Sequence, residues 1–277
     1  MAKGIGLIGN FKGKVGNMVG YKLTDSNSGN TQGIRVYQPI VKNPKTAAQA
    51  EQRAKLAPIN ATYRALKMII DRGNEGLPYG NKSRLAWLKQ AFKAVHMPWF
   101  VKGASVNFPV VCQLTKGSLA GLSVANTGGG MEISCTNLTS STDVSTIGKL
   151  STALMAGYPS LKAGDQITIV FVTTLGGVLT TNVFSFILNT TSAESQTIFE
   201  ADNNKLISDA ISSNDFGAVI VSREGDSGEH LRSNSYLLGA STVYESEPYD
   251  AASKTAAIES YRSSAAVNAD WAEESIQ

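Results

Sequence analysis

The tightest constraint on the fold is a change of texture near Gly103. Before it, apolar residues recur at three- and four-residue spacing, the period of one helix face. Leu56, Ile59, Tyr63, Leu66 and Ile70 form one such stripe, and Leu85, Leu88, Phe92 and Val95 form a second. After it come short β-like runs separated by Gly, Asn, Ser and Asp: Val106–Leu114, Glu132–Cys135, Gln166–Thr173, Thr181–Leu188, Ala218–Ser222 and Ser235–Ala240. This order predicts an α+β chain of 277 residues, large enough for two domains. The expected division is a basic α+β module over 1–103, a mainly antiparallel β-sandwich-like domain over 104–249 and a helical tail over 250–277. Pro98 to Gly103 marks the first boundary.

Local signals fill in the first module. Gly4, Gly6, Gly9, Gly13, Gly16 and Gly20 lie two to four positions apart, a density that disfavours helix and suits turns. Val15–Leu23 and Gly33–Tyr37 read as two strands of a β-hairpin around the polar stretch Thr24–Gln32. Asn43-Pro44-Lys45-Thr46 predicts a helix start, with Asn43 as cap and proline at the first helical position. This helix is expected to run toward Arg72, with Pro58 kinking it or opening a second segment. A second helix is expected from Lys82 to Val95, with Arg84, Lys89 and Lys93 outward, completing a basic helical hairpin. Further on, a short helix near Asn203–Ile211 and a C-terminal helix from Asp250 with a frayed end are predicted.

Charge divides along the same line. Residues 1–103 hold 17 Lys and Arg against 4 Asp and Glu, whereas residues 104–277 hold 8 against 18. The net charge of +3 therefore hides two electrostatically distinct ends. A solvated helix face is the ordinary explanation for a charge run. An excess of this size in one third of a chain also repels itself unless a polyanion neutralises it. Aromatic residues, among them Tyr21, Tyr37, Tyr63 and Trp87, are interleaved with the charges.

Chemical motifs are sparse. Gly4-Ile-Gly-Leu-Ile-Gly9 matches a dinucleotide fingerprint as a string, but only three residues precede it and glycine-rich sequence follows, so the required strand and helix are missing. Gly225-Asp-Ser-Gly228 resembles the segment around a serine-protease nucleophile. His230 is in the wrong order for that family, and His96 sits at a predicted helix end, so a hairpin turn is the better reading. Two cysteines, Cys112 and Cys135, make no disulfide framework and read as small buried hydrophobes. No metal-ligand spacing, phosphate loop or Cys–His pairing appears. The expectation is a non-enzyme with no cofactor and no metal. No apolar stretch reaches the length of a membrane span, the N-terminus lacks a signal-peptide pattern, and the Asn-x-Ser/Thr sites at Asn60, Asn137 and Asn189 carry no weight without a secretory route.

Two stretches carry a resemblance. Gly9-Asn-Phe-Lys-Gly-Lys-Val-Gly-Asn-Met-Val-Gly-Tyr-Lys22 and Val41-Lys-Asn-Pro-Lys-Thr-Ala-Ala-Gln-Ala-Glu-Gln-Arg53 resemble an uncharacterised protein family of Bacteroidota and their bacteriophages. The second is also similar to an Asn-Pro-(Lys/Arg)-Thr-x-x-Gln-x-x-x-Arg motif of phage virion proteins. The resemblance covers about the first 70 residues and implies a virion structural role, with no catalytic residues to carry over. Assembly in the bacterial host cytoplasm, contact with other virion proteins and homo-oligomerisation follow as expectations. Non-specific contact with the DNA backbone is assigned to Lys14, Lys22, Arg35, Lys42, Lys45, Arg53 and Lys55, which fall in or beside these stretches. The alternative is a receptor- or glycan-binding virion module carried by the β domain.

Overall fold

The computed structural model describes residues 13–25, 29–37, 46–104, 108–126, 131–136, 138, 140–175, 177–208, 216–239 and 249–263. The chain forms two compact units, Met1–Lys45 and Thr46–Gln277. In the first, β1 (Gly13–Val15), β2 (Met18–Asp25) and β3 (Gly29–Val36) make a three-stranded antiparallel sheet in sequence order. The expected hairpin is therefore present, with its first strand shifted to Met18–Asp25, its second lengthened to Gly29–Val36 into the stretch expected as turn, and a third strand, β1, added. Gly16, at φ +57°, supplies the left-handed turn between β1 and β2. The register places Val15, Met18 and Val36 across from one another, and Lys14, Val19 and Arg35 likewise. Side chains alternate between faces, so each trio shares one face.

The second unit opens with α1 (Ala47–Ala65), α2 (Lys67–Ile70) and α3 (Asn81–Ala91). The cap of α1 is Thr46, whose hydroxyl accepts from the Gln49 N–H at 3.3 Å, not Asn43, which lies outside the described residues. Pro58 does not divide the helix; the break falls at Leu66. In α3 the inward face is Ser83, Trp87 and Ala91, with Leu88 and Phe92 half-buried. Leu85 and Val95 are exposed, which corrects the stripe read from hydrophobicity alone. Helix period survives, but its phase is set by where Trp87 buries its large apolar surface.

β4 (Gln113–Thr115), β5 (Val124–Asn126) and β6 (Met131–Ser134) lead to a fourth helix, α4 (Ile147–Gly157), which the sequence reading does not anticipate. The long strands β7 (Gln166–Leu175) and β8 (Val178–Ile187) follow, then β9 (Glu200–Asp202) and β10 (Lys205–Ser208). The helix expected near Asn203–Ile211 is replaced by the β9–β10 hairpin. Asn203 and Asn204 sit at φ 45° and 63°, a left-handed pair that turns the chain between strands. β11 (Phe216–Glu224), β12 (His230–Arg232), β13 (Ser235–Tyr236) and β14 (Leu238–Gly239) precede α5 (Ala251–Ser263). The Asp250 carboxylate accepts from the Ser253 N–H at the start of α5, as expected of a helix beginning there.

A central antiparallel sheet, ordered β12-β11-β7-β8, organises this unit. One face carries Val170, Val172, Phe216, Ala218 and Ile220, packed with Ile59, Leu66, Ile70 and Trp87 of the helices. The other carries Ile167, Ile169, Phe171, Val219 and Val221, packed with Leu150 and Leu154 of α4 and with Met131, Ile133 and Leu206 of the small sheet β5-β6-β10-β9. The fold is α+β, with several antiparallel sheets and a C-terminal helix. Gly103 does not separate two cores: Val110, Cys112 and Leu114 from beyond it pack with Ile59, Leu66 and Trp87 from before it.

Candidate functional site

The seven basic residues divide between the two units, five in the first and two in the second. Lys14 and Arg35 are exposed and share one face of the first unit, on either side of Val19. The Lys14 ammonium sits 3.7 Å from the centre of the Tyr37 ring, a cation–π contact. Lys22 belongs to β2 by its backbone, and Lys42 and Lys45 lie outside the described residues. Arg53 and Lys55 belong to the second unit. Arg53 is half-buried in α1. Lys55 is committed internally: it pairs with Glu51 at 3.2 Å and lies 5.9 Å from the Trp99 ring. Lys254 of α5 repeats both contacts, at 3.3 Å and 5.2 Å, so this cluster joins α1 to α5. The two lysines, Lys55 first through its hydrogen bond, lower the Glu51 carboxyl from its ordinary value against the opposing effect of burial.

A large concave feature lies in the second unit and has no sequence motif. On the helix-facing side of the central sheet, apolar Val170, Val172, Ala218 and Ile220 give way along the same strands to Gln166, Thr168, Ser222 and Glu224. The change coincides with the end of the helical cover: α2 is a single turn, and the chain leaves it at Asp71. The uncovered floor forms an open groove of about 760 Å³. Ser185 of β8 lies directly opposite Thr168, and Ile187 opposite Gln166. Met68, Arg72 and Tyr79 form one wall; His230 and Arg232 of β12 form the other. A neighbouring cavity of about 500 Å³ shares Arg72, Tyr79, His230 and Arg232.

These walls are held by polar contacts, some half-buried and some exposed. Asp71 accepts from the Tyr63 hydroxyl at 2.8 Å and pairs with Lys67, while its carbonyl accepts from the Gly80 N–H at 2.9 Å. The Lys67 hydrogen bond, opposed by burial, leaves Asp71 below its ordinary range. Arg72 then lies 5.6 Å over Tyr79, whose ring centre is 6.1 Å from that of His230. Glu75 ties the opposite wall, accepting from the Ser118 N–H (2.9 Å), the Ser118 hydroxyl (2.8 Å) and the Arg232 N–H (3.0 Å). Burial pushes Glu75 up, but these three donors outweigh it and its pKa lies below the usual value. Gly117 is required beside it, because a Cβ there would stand 2.1 Å from the Arg232 carbonyl oxygen.

Arg223, also lining the groove, is already spent. Its Nε and one terminal nitrogen bind the buried Asp165 carboxylate at 2.6 and 2.7 Å, and it donates to the Ser160 carbonyl at 2.9 Å. No such carboxylate partner holds the guanidinium of Arg72 or Arg232 among the described residues.

Gly225–Gly228 is the turn of the β11–β12 hairpin. The Gly228 N–H donates to the Gly225 carbonyl at 2.9 Å, and the Ser227 N–H donates to Glu229 at 3.1 Å. Burial pushes the Cys112 thiol up to about 12, against a small opposing influence of Trp87, and raises Cys135, so neither is poised as a thiolate. Among the described residues, no group of three or more His, Cys, Asp or Glu is placed to hold a metal ion. Nor, among them, is any helix long and apolar enough to cross a membrane. No family model, curated protein or solved structure matches the chain.

Proposed function

We propose that this chain is a bacteriophage virion structural protein whose first unit sets its basic face against a polyanion, either packaged nucleic acid or an acidic neighbouring subunit. The observation that carries this reading is the exposure of Lys14 and Arg35 on one face of a small sheet. That unit holds seven Lys and Arg against one Asp, a net of +6, whereas the remainder holds 18 against 21. The stretches Gly9–Lys22 and Val41–Arg53, which resemble phage and Bacteroidota proteins, lie mostly in the same unit. Sequence-independent attraction to phosphates depends steeply on salt. Gel shift of a duplex DNA across a salt series tests it. The full chain binds most tightly near 50 mM salt, and the double variant Lys14→Glu/Arg35→Glu weakens binding and flattens the salt slope by about 2. Salt-independent behaviour with no binding at about 50 mM salt removes the nucleic-acid partner.

A second reading, a ligand-binding virion module carried by the β-rich unit, is favoured by one feature: the open polar groove beside Arg72 and Arg232.

A further inference from the structure

We propose that the groove on the central sheet binds an acidic saccharide, a ligand that joins a carboxylate to a ring with hydroxyl groups and an apolar C–H face. The proposal rests on the ligand-binding reading and does not depend on the polyanion reading of the first unit.

Three properties of the groove select this chemistry. Its floor is rich in polar side chains, and those of Gln166, Thr168 and Ser185 have no partner among the described residues. Thr168 and Ser185 face each other across β7 and β8, and their hydroxyls join the Gln166 amide beyond the stretch where β7 is apolar under the helices. Hydroxyl and amide groups that both donate and accept match the hydroxyls of a sugar ring.

The walls supply two guanidiniums without carboxylate partners among the described residues, Arg72 and Arg232, and guanidinium recognises a carboxylate by paired hydrogen bonds. Arg223 adds no free charge because Asp165 neutralises it.

The lip along β8 and α2 is apolar and open: Met68 is 78% exposed, Ile187 59% and Val183 50%. It offers a surface for the C–H face of a ring. The volume of about 760 Å³ falls within the range of small-molecule sites.

A phosphodiester chain fits less well. The single carboxylate of the lining, Glu224, opposes a polyanion but accepts hydrogen bonds from sugar hydroxyls.

The test is calorimetric titration of the full chain with a glucuronate-terminated disaccharide and with its glucose-terminated counterpart. The acidic sugar binds about tenfold or more tightly than the neutral one, as a charge-assisted paired contact predicts. Arg72→Gln and Arg232→Gln each weaken it about tenfold, and Ser185→Trp, at an exposed position, abolishes it by filling the floor. Circular dichroism and melting temperature of each variant match the parent, so lost binding is not lost fold. Lys14→Glu/Arg35→Glu leaves the sugar affinity unchanged, which separates this site from the polyanion face. No heat at about 10 mM disaccharide, equal affinity for the two sugars, or indifference to both arginine variants overturns the proposal. Displacement of the disaccharide by a short duplex DNA overturns it in favour of nucleic acid.

Discussion

The two units treat apolar surface in opposite ways. In the second, β7 and β11 of the central sheet are covered on both faces over most of their length, and Ile167, Val170 and Val172 are wholly buried, while Val183 and Ile187 of β8 stay exposed beside the groove. In the first, Val15, Met18, Ile34 and Val36 remain exposed, at 39–65%. Register places all four on the face opposite Lys14 and Arg35. The first sheet is thus amphipathic with, among its described residues, no helix or second sheet over its apolar side. Three strands draw stability from a covered hydrophobic face, and a unit of 45 residues has little interior of its own. The difference assigns stability to the second unit and surface chemistry to the first.

The largest expected effect comes from Asp165, 1% exposed and bound by Arg223 and the Lys162 N–H. Asp165→Ala leaves a half-buried guanidinium without its partner. It destabilises the second unit by about 3–5 kcal/mol in urea unfolding, since breaking a buried pair strands the remaining charge. Chemical shifts of residues 13–37 stay in place; if they collapse together with the second unit, the two are not independent.

Ile59→Ala, in the helix-side core, costs about 2–5 kcal/mol by the same measurement. The next effect is that of Glu75→Gln, at about 1–3 kcal/mol, because three donors lose a charged acceptor. Its pH dependence has a definite sign. The folded pKa of Glu75 is lowered, so its contribution is complete above the unfolded carboxyl value near ~4.3 and is lost as pH falls through the folded value. The gap between parent and variant is therefore widest near neutrality and closes in acid. A gap that widened below about pH 4 would contradict the hydrogen-bonded carboxylate.

The smallest effect is that of Val36→Ala, 65% exposed before substitution, which shifts unfolding by no more than about 0.5 kcal/mol. A cost approaching that of Ile59→Ala would mean that the apolar face is covered in solution.

Much of the fold was legible because its signals are local. The strands β7, β8 and β11 show as β-like runs between Gly, Asn, Ser and Asp, the first hairpin as two runs flanking a polar stretch, and α5 as a helical run from Asp250. The helix predicted near Asn203 failed because Leu206 and Ile207 suit either period, and only the left-handed Asn203-Asn204 turn decides for strands. Helix α4 escaped notice because Ile147-Gly-Lys-Leu-Ser-Thr-Ala-Leu is short, and its buried Gly148 and Ser151 blur the stripe. Of the basic residues, Lys14 and Arg35 gained a common face from register. Lys55 was withdrawn from the surface by Glu51, one helical turn before it, and by Trp99, whose proximity no spacing rule reveals. The groove was invisible: Arg72, Thr168, Ser185 and Arg232 are separated by up to 160 positions of sequence and share no motif.

By itself the sequence determined the period of the long elements and the charge of each end, because these depend on neighbours within a few residues. Tertiary structure alone decided that the compact boundary lies at Lys45 and not at Gly103, because Trp87 and Leu114 bury their apolar surface together. It alone decided where the helical cover stops short of the sheet, and so which hydroxyls and guanidiniums face open space.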